Sequence, residues 1–494
     1  MAQYIAAYDF GTSGVKIALV DFTGAVAGVS EKGYNLYYPK EGYVEQSPEE
    51  YWEAVCAVTR KALVISGVLP EEVVGLSFSV QSYNLIPVTA EGEILYPAVS
   101  WLDSRASKQA EKINEALGLP LVRSQDFQSR LLWFKEEMPD IYDRAAWFLD
   151  CAGFLHWKAT GVMAVSEDHP GLAIQPDFLQ EYLDATLGVA EVGKLAPMVE
   201  ATKVYACLDK KGATELGLCE GTPVFGGCVD VVAAAAGAGC INEDEANVYL
   251  GSSGWLSVLV SSPADAAPGS YYLPSIKPGL VIYGGCINSC CMATNKVAAL
   301  LYAEEKAMGK DYWSVINREV DLVPAGCEGL MATPWLRGEQ FPVSDDNLRA
   351  SFINLSSEHT RADMMAAMME SLCHSLRWQA ELYEQDHGKK VQSVVANGGG
   401  SLSDPWMQML ANVMGCEVSV PEQRRHSGAL GAAVAAGIGL GVCTPDDVSS
   451  LIHMERKYIP DPEKKDLYDR RYAMFKDLTA ALQPFYDKYN GGMG

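Results

Sequence analysis

Short runs of apolar residues separated by turn residues open the chain. The first run, Tyr4–Tyr8, ends in a polar loop of Asp, Gly, Thr and Ser, and a second run, Val15–Val20, follows it. After further turn residues, Val26 begins a third apolar stretch. Runs of this length bounded by Gly, Asp and Ser are typical of β-strands. The pattern therefore predicts a meander of antiparallel strands whose first turn carries polar side chains.

A similar pattern returns about half a chain later. The apolar run Asn247–Leu250 leads into a Gly-Ser-Ser-Gly loop, and another apolar run, Trp255–Val260, follows. Two hairpins of one kind indicate a duplicated architecture, with a boundary near Glu243–Glu245. We therefore expect one domain over residues 1–245 and a second over residues 246–494.

Hydrophobic periodicity predicts further elements along the rest of the chain. A strand over Val391–Ala396 runs into a stretch of glycines, and Asp404 is predicted to be the N-cap of the helix that follows. Strand and helix patterns occur in both halves of the chain. The other predicted elements are helices over Pro48–Leu63, Glu358–Gln385 and Trp406–Met414, strands over Val73–Val80 and Cys416–Val420, and an Ala/Gly-rich helix that begins at Ser427.

The composition is that of an ordinary globular protein and excludes a disordered or fibrous chain. The 494 residues are 49% apolar and 20% charged. At about 100–200 residues per domain, this length corresponds to roughly two to four domains. Lys and Arg total 38 against 63 for Asp and Glu, which gives a net charge of −25. Such a balance repels nucleic acid and anionic membranes, so we expect neither as a partner, although a small phosphate ligand held by backbone N–H groups is compatible with it.

The cysteines, the start of the sequence and the lengths of its uncharged runs bear on the cellular location of the protein. Thirteen cysteines are scattered without regular spacing, which is typical of free thiols in a reducing compartment. The cluster Cys286, Cys290 and Cys291 lacks histidines at zinc-site spacing and is interpreted as apolar packing. No signal peptide pattern opens the sequence, and the longest uncharged run, Ser427–Cys443, is too short to span a membrane. We expect a cytoplasmic protein.

The first polar loop carries candidate chemistry. Gly11 allows a tight backbone on which N–H groups can converge on an anion, and Thr12 and Ser13 add hydroxyl donors. Lys16 adds a positive charge, and Asp9 offers a carboxylate to Mg²⁺. A plain hairpin turn uses the same residue types, so both interpretations stand. The spacing is not that of a P-loop.

A single carboxylate stands out in the middle of the chain. Asp230 lies in the otherwise uncharged stretch Thr222–Asn242, directly before a helical pattern that starts at Val231. An isolated acid in such surroundings must be hydrogen-bonded, cap the helix or act as a base. Capping and base chemistry are compatible roles.

Two further loops are rich in glycine. Ser252 and Ser253 form the turn of the second predicted hairpin, as Thr12 and Ser13 do in the first. The triple glycine Gly398–Gly400 stands between a predicted strand and a predicted helix. Three glycines permit close backbone approach to a flat ring or a phosphate, and a mobile connection is the alternative.

Together, these segments resemble the FGGY family of carbohydrate kinases, which belongs to the actin/hexokinase/Hsp70-like superfamily. Within this family, the segments look most similar to those of xylulose kinases. The similar segments are DFGTSGVK at 9–16, EGYVEQSPEEYW at 41–52, ILYPAVSWLDSRA at 94–106, GTPVFGGCVDVVAAAAGAG at 221–239, LGSSG at 250–254, ANGGGSLSDPWMQMLANVMG at 396–415 and HSGALGAAVAAG at 426–437.

The resemblance implies an α/β fold with two RNase-H-like domains flanking a cleft, with ATP largely on the C-terminal side and sugar largely on the N-terminal side. It implies that Asp230 takes the proton from the sugar hydroxyl and that Asp9 serves Mg²⁺. The residues expected to bind ATP are Gly11, Thr12, Ser13, Lys16, Ser252, Ser253, Gly399, Gly400 and Ser401.

The resemblance also implies a sugar site, but the sequence departs from the family there. The segment Ser79-Val-Gln-Ser-Tyr83 stands where xylulose kinases usually have Gly-Gln-Met-His-Gly and glycerol kinases Asn-Gln-Arg-Glu. The substrate is therefore first expected to be D-xylulose or another pentulose, with a polyol such as erythritol or glycerol, or a sugar acid, as the alternative. A non-catalytic, nucleotide-gated sugar-binding module is a further alternative, and a homodimer is compatible with either. The residues expected at the sugar are Gln81, Ser82, Tyr83, Trp101, Asp103 and Asp230, with Arg105 in the supporting scaffold.

Overall fold

A computed structural model describes residues 2–118, 122–168, 194, 196–264 and 267–490. The chain divides into two compact units. None of the helices in these ranges is both long and apolar enough to cross a lipid bilayer. The first unit comprises Met1–Gly237, Leu273–Pro278 and His426–Leu451, and the second comprises Ala238–Tyr272, Gly279–Arg425 and Ile452–Gly494.

Strands and helices follow each other through both units. The strands are β1 (Tyr4–Phe10), β2 (Gly14–Asp21), β3 (Val26–Gly33), β4 (Glu45–Gln46), β5 (Val73–Val80), β6 (Ile86–Val88), β7 (Ala98–Val99), β8 (Trp147–Leu149), β9 (Val165–Ser166), β10 (Met198–Val199), β11 (Val204–Cys207), β12 (Pro223–Phe225), β13 (Cys228–Val229), β14 (Ala246–Leu250), β15 (Gly254–Val260), β16 (Ser270–Pro274), β17 (Val281–Ile287), β18 (Met331–Thr333), β19 (Ser351–Ile353), β20 (Ser393–Asn397), β21 (Glu417–Pro421) and β22 (Met454–Tyr458). The α-helices are Pro48–Ser66, Ser107–Leu117, Phe127–Glu137, Pro139–Arg144, Cys151–Thr160, Lys210–Leu216, Asp230–Gly237, Cys290–Leu301, Ala303–Ala307, Tyr312–Val320, Arg361–His387, Asp404–Met414, Ser427–Leu440, Val448–Leu451 and Lys465–Asn490.

The central sheet of the first unit has the strand order β11-β12-β5-β1-β2-β3, with β13 beside the end of β5. Strands β1, β2 and β3 form the predicted antiparallel meander, and β5 runs parallel to β1. The helix Pro48–Ser66 packs on β2 and β3, and the helix Ser427–Leu440 packs on β1 and β5. Because this packing shields the sheet, β1 and β5 are almost continuously buried. The alternation of apolar residues with Ser77 and Ser79 in β5 predicts a half-buried strand, and this prediction is wrong because both serines are buried.

The central sheet of the second unit repeats this order. Its strands run β16-β17-β15-β14-β20-β21-β22. Strands β14, β15 and β17 form an antiparallel meander, and β20 runs parallel to β14 as β5 does to β1. The two hairpins detected in the sequence are therefore the equivalent first strands of two similarly ordered sheets.

Helix ends follow the capping residues, with one correction to the sequence prediction. The helix Pro48–Ser66 starts after Ser47, whose side chain accepts a hydrogen bond from Glu50 N, and ends at Gly67 with φ of 73°. The helix after the triple glycine starts at Asp404, and its N-cap is Ser403 instead of the predicted Asp404. Ser403 Oγ accepts the hydrogen bond from Trp406 N, while Asp404 Oδ1 accepts one from the hydroxyl of Tyr458 at 2.5 Å.

Candidate active site

Three polar side chains of the first unit lie at the same edge of its sheet. Asp9 is near the end of β1, Ser82 follows the end of β5, and Asp230 follows the end of β13. The parallel register pairs Asp9 with Ser79 and Val229 with Val80, so the three strand ends are level. The carboxyl ends of parallel strands are where α/β proteins bind ligands.

Asp230 is the first residue of a helix, and its carboxyl group has a pKa near neutral pH. Its Oδ1 accepts a hydrogen bond from Val231 N at 2.9 Å, and the side chain of Ser82 also hydrogen-bonds to it. Removal from water, followed by repulsion from Asp9, raises the pKa of Asp230 from 3.8 to about 7. A carboxylate with such a pKa is well matched to accept a proton at physiological pH.

A second acid, Asp168, supports the backbone just before Asp230. Its Oδ2 accepts a hydrogen bond from Val229 N at 2.9 Å, and its Oδ1 accepts one from Ser166 Oγ. The side chain is buried, and this burial is the main cause that raises its pKa to about 7. Asp168 thereby links β9 to the turn that presents Asp230. No local sequence pattern singles out Asp168, because its partner Val229 lies 61 positions away.

Asp9 is held from two sides. Lys16, its cross-strand neighbour, places Nζ 3.7 Å from Asp9 Oδ2. Gly428 belongs to the first turn of the helix Ser427–Leu440, and a Cβ there would lie only 2.6 Å from Asp9 Oδ1. The partial positive charge of this helix N-terminus therefore acts directly on the carboxylate.

These oxygen donors suit Mg²⁺. Asp9 and Asp230 are close enough to repel each other, and a divalent cation would relieve that repulsion. Within the described ranges no group of three or more His, Cys, Asp or Glu side chains converges. Mg²⁺ is commonly held by one or two carboxylates together with waters and substrate phosphates, so two carboxylates fit it.

The loop after β1 is tied to the protein through its carbonyl groups. Tyr34 OH donates to Gly11 O, Gln46 Nε2 donates to Thr12 O at 2.8 Å, and Tyr34 N donates to Ser13 O at 3.3 Å. Thr12 is partly exposed and Ser13 is exposed. The loop is therefore fixed through its carbonyl groups, while the residue Ser13 is open to solvent and Thr12 is partly so.

The predicted sugar residues Trp101 and Asp103 have different surroundings. Trp101 is partly exposed, and its Nε1 donates to Thr12 Oγ1 at 2.8 Å, which joins the predicted sugar region to the predicted phosphate loop. Asp103 is fully buried, and its oxygens accept hydrogen bonds from Val44 N at 2.6 Å and Arg105 Nε at 2.9 Å. Asp103 and Arg105 therefore form internal scaffold, and a direct sugar contact of Asp103 stays a prediction.

Gln81 and Tyr83 flank Ser82 in contrasting environments. Gln81 is 2% exposed, and its Nε2 donates to Gln46 Oε1 at 3.2 Å. Tyr83 is partly exposed and has a φ of 61°, a conformation that costs a residue with a Cβ about 1–3 kcal/mol. Arg130 donates to its carbonyl oxygen, and Arg123 Nη2 donates to its hydroxyl at 3.2 Å. Strain of this kind is concentrated at functional sites.

In the second unit, the loop after β14 is anchored by a helix start. Gly251 O accepts a hydrogen bond from Cys291 N at 2.8 Å, and Ser252 O accepts one from Met292 N at 3.3 Å. Ser252 is exposed and Ser253 is partly exposed. As in the first unit, carbonyl groups hold a loop whose hydroxyl-bearing residues are at least partly exposed.

The triple glycine follows β20, the parallel neighbour of β14. Gly398 has a φ of 84°, in the left-handed region that favours glycine. A Cβ on Gly399 would meet nothing within 4 Å, whereas one on Gly400 would lie 2.8 Å from the side chain of Leu250. Ser401 is buried, and its Oγ donates to Gly398 O at 2.7 Å. The loop therefore offers an open backbone surface at Gly399 on a rigid support.

Several residues of these sites were not singled out in the sequence. Gln46 and Asn84 are buried amides that contact the loop or its neighbours, and Gly428 contacts Asp9. Gln46 and Gly428 lie in segments that carry the family resemblance, so that resemblance was a signal for their importance. No local pattern distinguishes Asn84.

Comparison with known proteins agrees with this geometry. The family model of the N-terminal domain of the FGGY family of carbohydrate kinases matches residues 4–237. The family model of the C-terminal domain matches residues 251–440. The two matches together span well over half of the chain.

Relatives extend the likeness over the whole chain. A xylulose kinase of Bacillus subtilis (strain 168) is 27% identical over 98% of this chain and 99% of its own. An L-xylulose/3-keto-L-gulonate kinase of Escherichia coli (strain K12) is 29% identical over 98% of both chains. The crystal structure of a ligand-bound xylulose kinase from Lactobacillus acidophilus shares the fold, with a TM-score of 0.87 at 23% identity over 99% of this chain and 100% of that one. The predicted fold class, two α/β domains of the actin/hexokinase type, is confirmed, and the chain belongs to the FGGY family of carbohydrate kinases, which are ATP-dependent sugar kinases.

Proposed function

We propose that this kinase phosphorylates a hydroxyl group of a ketose, with D-xylulose or another pentulose as the first candidate and Asp230 as the general base. The observation that carries the proposal is the position of Asp230 beside Ser82 and Asp9, with a pKa raised to about 7. An alcohol is a weak nucleophile at neutral pH, so a carboxylate that accepts its proton accelerates the transfer. The phosphoryl group itself needs mainly positioning and charge stabilisation.

The nucleotide is proposed to be bound by polar loops of both units. Mg²⁺, held by Asp9, would neutralise charge on the transferred phosphate. In this proposal residues 1–245 form the sugar-binding domain and residues 246–494 the nucleotide-binding domain. The phosphate-binding residues would be Gly11, Thr12, Ser13, Lys16, Ser252 and Ser253, and those near adenosine would be Gly399, Gly400 and Ser401.

The sugar is proposed to contact Ser82, Tyr83 and Trp101, with Gln81 and Asp103 behind them. The names of the Bacillus subtilis and Escherichia coli relatives favour a ketose. A sugar acid is the second candidate, because the Arg123 guanidinium, which pairs with Asp126, donates to the Tyr83 hydroxyl. A cation at this place would suit a substrate carboxylate.

The free thiols bear on the cellular compartment of the enzyme. All thirteen cysteines lie in described residues and none forms a disulfide. This favours a reducing compartment, and we propose the cytoplasm. A homodimer stays a prediction.

The substrate class is tested by ADP release with purified protein, Mg-ATP and a panel of D-xylulose, L-xylulose, erythritol, glycerol and gluconate. We expect turnover on a ketose and none on the polyols. Turnover on gluconate alone would favour the sugar acid. Silence on every compound, with ATP binding retained in calorimetry, would overturn the kinase proposal in favour of a binding module.

The role of Asp230 is tested with Asp230→Ala. Loss of a general base lowers kcat by about 10²–10⁴-fold, while ATP affinity should stay unchanged. Asp209→Ala is the matched control, because Asp209 Oδ1 also accepts a backbone hydrogen bond at a helix start, from Gly212 N at 2.6 Å. If Asp230 only stabilised its helix, both variants would lose stability alike and keep their activity.

A further inference from the structure

Both polar oxygens of Thr12 take part in one closed ring of hydrogen bonds. Trp101 Nε1 donates to Thr12 Oγ1 at 2.8 Å, and Gln46 Nε2 donates to Thr12 O at 2.8 Å. Gln46 Oε1 accepts from Tyr51 OH at 2.7 Å, and Tyr51 OH in turn accepts from Asn84 Nδ2 at 3.2 Å. Asn84 Oδ1 accepts from Trp101 N at 3.3 Å, which closes the ring. We call these five residues the Thr12 ring.

The donor and acceptor roles in the Thr12 ring are fixed by chemistry. An indole N–H only donates, so Thr12 Oγ1 must accept from Trp101, and the hydroxyl proton of Thr12 is left for another acceptor. A phosphate oxygen is such an acceptor. The single proton of Tyr51 is directed to Gln46 because Asn84 donates to the phenol oxygen. Each bond therefore depends on the orientation of the next.

Burial makes this dependence strong. Gln46 and Tyr51 are 0% exposed and Asn84 is 1% exposed. A buried polar group that loses its partner cannot turn to water, so breaking one bond forces the others to rearrange. Gln81 Nε2 also donates to Gln46 Oε1 at 3.2 Å, which attaches the segment 81–84 to the ring a second time.

We propose that Gln46, Tyr51 and Asn84 are positioning residues that couple the sugar-binding segment to the phosphate-binding loop. The proposal rests on the function proposed above, in which Ser82, Tyr83 and Trp101 contact the sugar and Thr12 contacts ATP. A sugar that displaces Trp101 or the segment 81–84 displaces Asn84, and through Tyr51 and Gln46 it displaces the carbonyl group of Thr12. The phosphate-binding geometry of Thr12 is then completed only when the sugar is in place.

The test is Tyr51→Phe, which removes only the hydroxyl group at the middle of the Thr12 ring. We expect kcat for sugar phosphorylation to fall by roughly 10- to 100-fold, because a small misplacement of a phosphate-binding group has effects of this size. The KM values for sugar and ATP should stay near those of the wild type, since neither substrate touches Tyr51. ADP release without sugar should change little, so that stimulation by sugar is lost.

Tyr8→Phe is the matched control. The Tyr8 hydroxyl is also fully buried, and it hydrogen-bonds to Thr59 Oγ1 at 2.8 Å, on the same helix that carries Tyr51. It has no bond to the Thr12 ring, so its loss should lower the melting temperature about as much and leave kcat unchanged. Equal kcat values for Tyr8→Phe and Tyr51→Phe would overturn the proposal.

A second variant guards against misfolding of the first. Asn84→Asp keeps the shape of residue 84 but replaces the amide donor that faces Tyr51 with an acceptor. We expect the same kcat defect, and the double variant should be no worse than the more damaged single variant, because both break one ring. Additive defects would overturn the coupling. If the wild-type protein turned over no sugar, the proposed function would fail instead, before any variant was compared.

Discussion

Asp168 supports the backbone next to Asp230, but its burial makes the stability of the folded protein depend on pH. Its oxygens accept hydrogen bonds from Val229 N and Ser166 Oγ, but no cation faces it in any contact of the described structure. Burial is the main cause that raises the pKa of Asp168 from 3.8 to about 7. The two hydrogen bonds oppose this rise, and repulsion from Glu167 and Asp150 adds to it. Neutral Asp168 is therefore favoured in the folded state and ionised Asp168 in the unfolded chain.

The consequence for stability has a definite sign. Between pH 3.8 and about 7 the folded state binds more protons at Asp168 than the unfolded chain does, so this residue lowers the free energy of unfolding as pH rises through that window. Asp168→Asn removes this dependence while its amide oxygen can still accept from Val229 N. We expect the difference in melting temperature, variant minus wild type, to be larger at about pH 8 than at about pH 5. Equal differences at both pH values would contradict the raised pKa.

At the scale of elements, the Ala/Gly-rich pattern of the helix Ser427–Leu440 explains how this helix packs next to Asp9 in the candidate active site. Its small residues let it approach the helix Asp230–Gly237, where a Cβ on Gly431 would collide with the carbonyl group of Ala233. The same closeness brings Gly428 against Asp9. An Ala/Gly-rich pattern thus predicts tight packing, but only the fold shows that the packing partner is a metal-binding candidate.

Gly428→Ala tests this contact. A Cβ placed 2.6 Å from Asp9 Oδ1 must displace the carboxylate or the helix, so we expect kcat to fall by roughly 10- to 100-fold. Gly437→Ala is the control in the same helix, because its nearest neighbour would be the flexible Cys443 Sγ at 3.2 Å. The control should keep wild-type kcat and gain up to about 1 kcal/mol from better helix propensity. Wild-type kcat in both variants would show that the Asp9 contact is not functional.

The sequence predicted those elements whose signal is local. The buried strand β1 begins with the apolar run Tyr4–Tyr8, and the polar loop between β1 and β2 is recognisable from its Gly, Thr and Ser residues. The alternating pattern of β5 indicates a strand but not its nearly complete burial, which depends on the helices packed against the sheet. The start of the helix Asp404–Met414 was misassigned by one residue, because Ser403 and Asp404 are both good N-caps and only the backbone geometry decides between them. The Thr12 ring could not be predicted, since Trp101 and Thr12 are 89 positions apart and meet only through the fold.

At the scale of the whole molecule, the same arrangement is used twice. In each unit an antiparallel hairpin and a parallel neighbour place two loops at one edge of the sheet, β1 with β5 and β14 with β20. The chemistry of the loops then differs: the first unit adds the carboxylates Asp9 and Asp230, and the second adds the open glycine backbone at Gly399. The assignment of sugar binding to the first unit and of nucleotide binding to the second is a proposal that rests on the family resemblance, and this difference is compatible with it.

The net charge of −25 acts from a distance on any substrate that carries a charge. Mg-ATP and a sugar acid are anions and are repelled by this field, whereas a ketose is neutral. Salt weakens such repulsion, because the screening length falls from about 30 Å at 0.01 M to about 10 Å at 0.1 M ionic strength. Binding of an anion therefore has to rely on local groups such as Lys16 and the helix N-terminus at Gly428.

This field predicts different salt responses for the two candidate substrate classes. Between about 20 mM and about 200 mM NaCl we expect the KM for Mg-ATP to fall roughly two- to threefold, as screening removes the repulsion. The KM for a neutral ketose should stay constant in the same titration, which makes the ketose an internal control, while the KM for a sugar acid should fall with that of Mg-ATP. Initial rates of ADP release at fixed free Mg²⁺ measure all three. A KM for Mg-ATP that rises with salt would contradict the prediction and show that attraction to Lys16 and the helix N-terminus outweighs the field of the whole molecule.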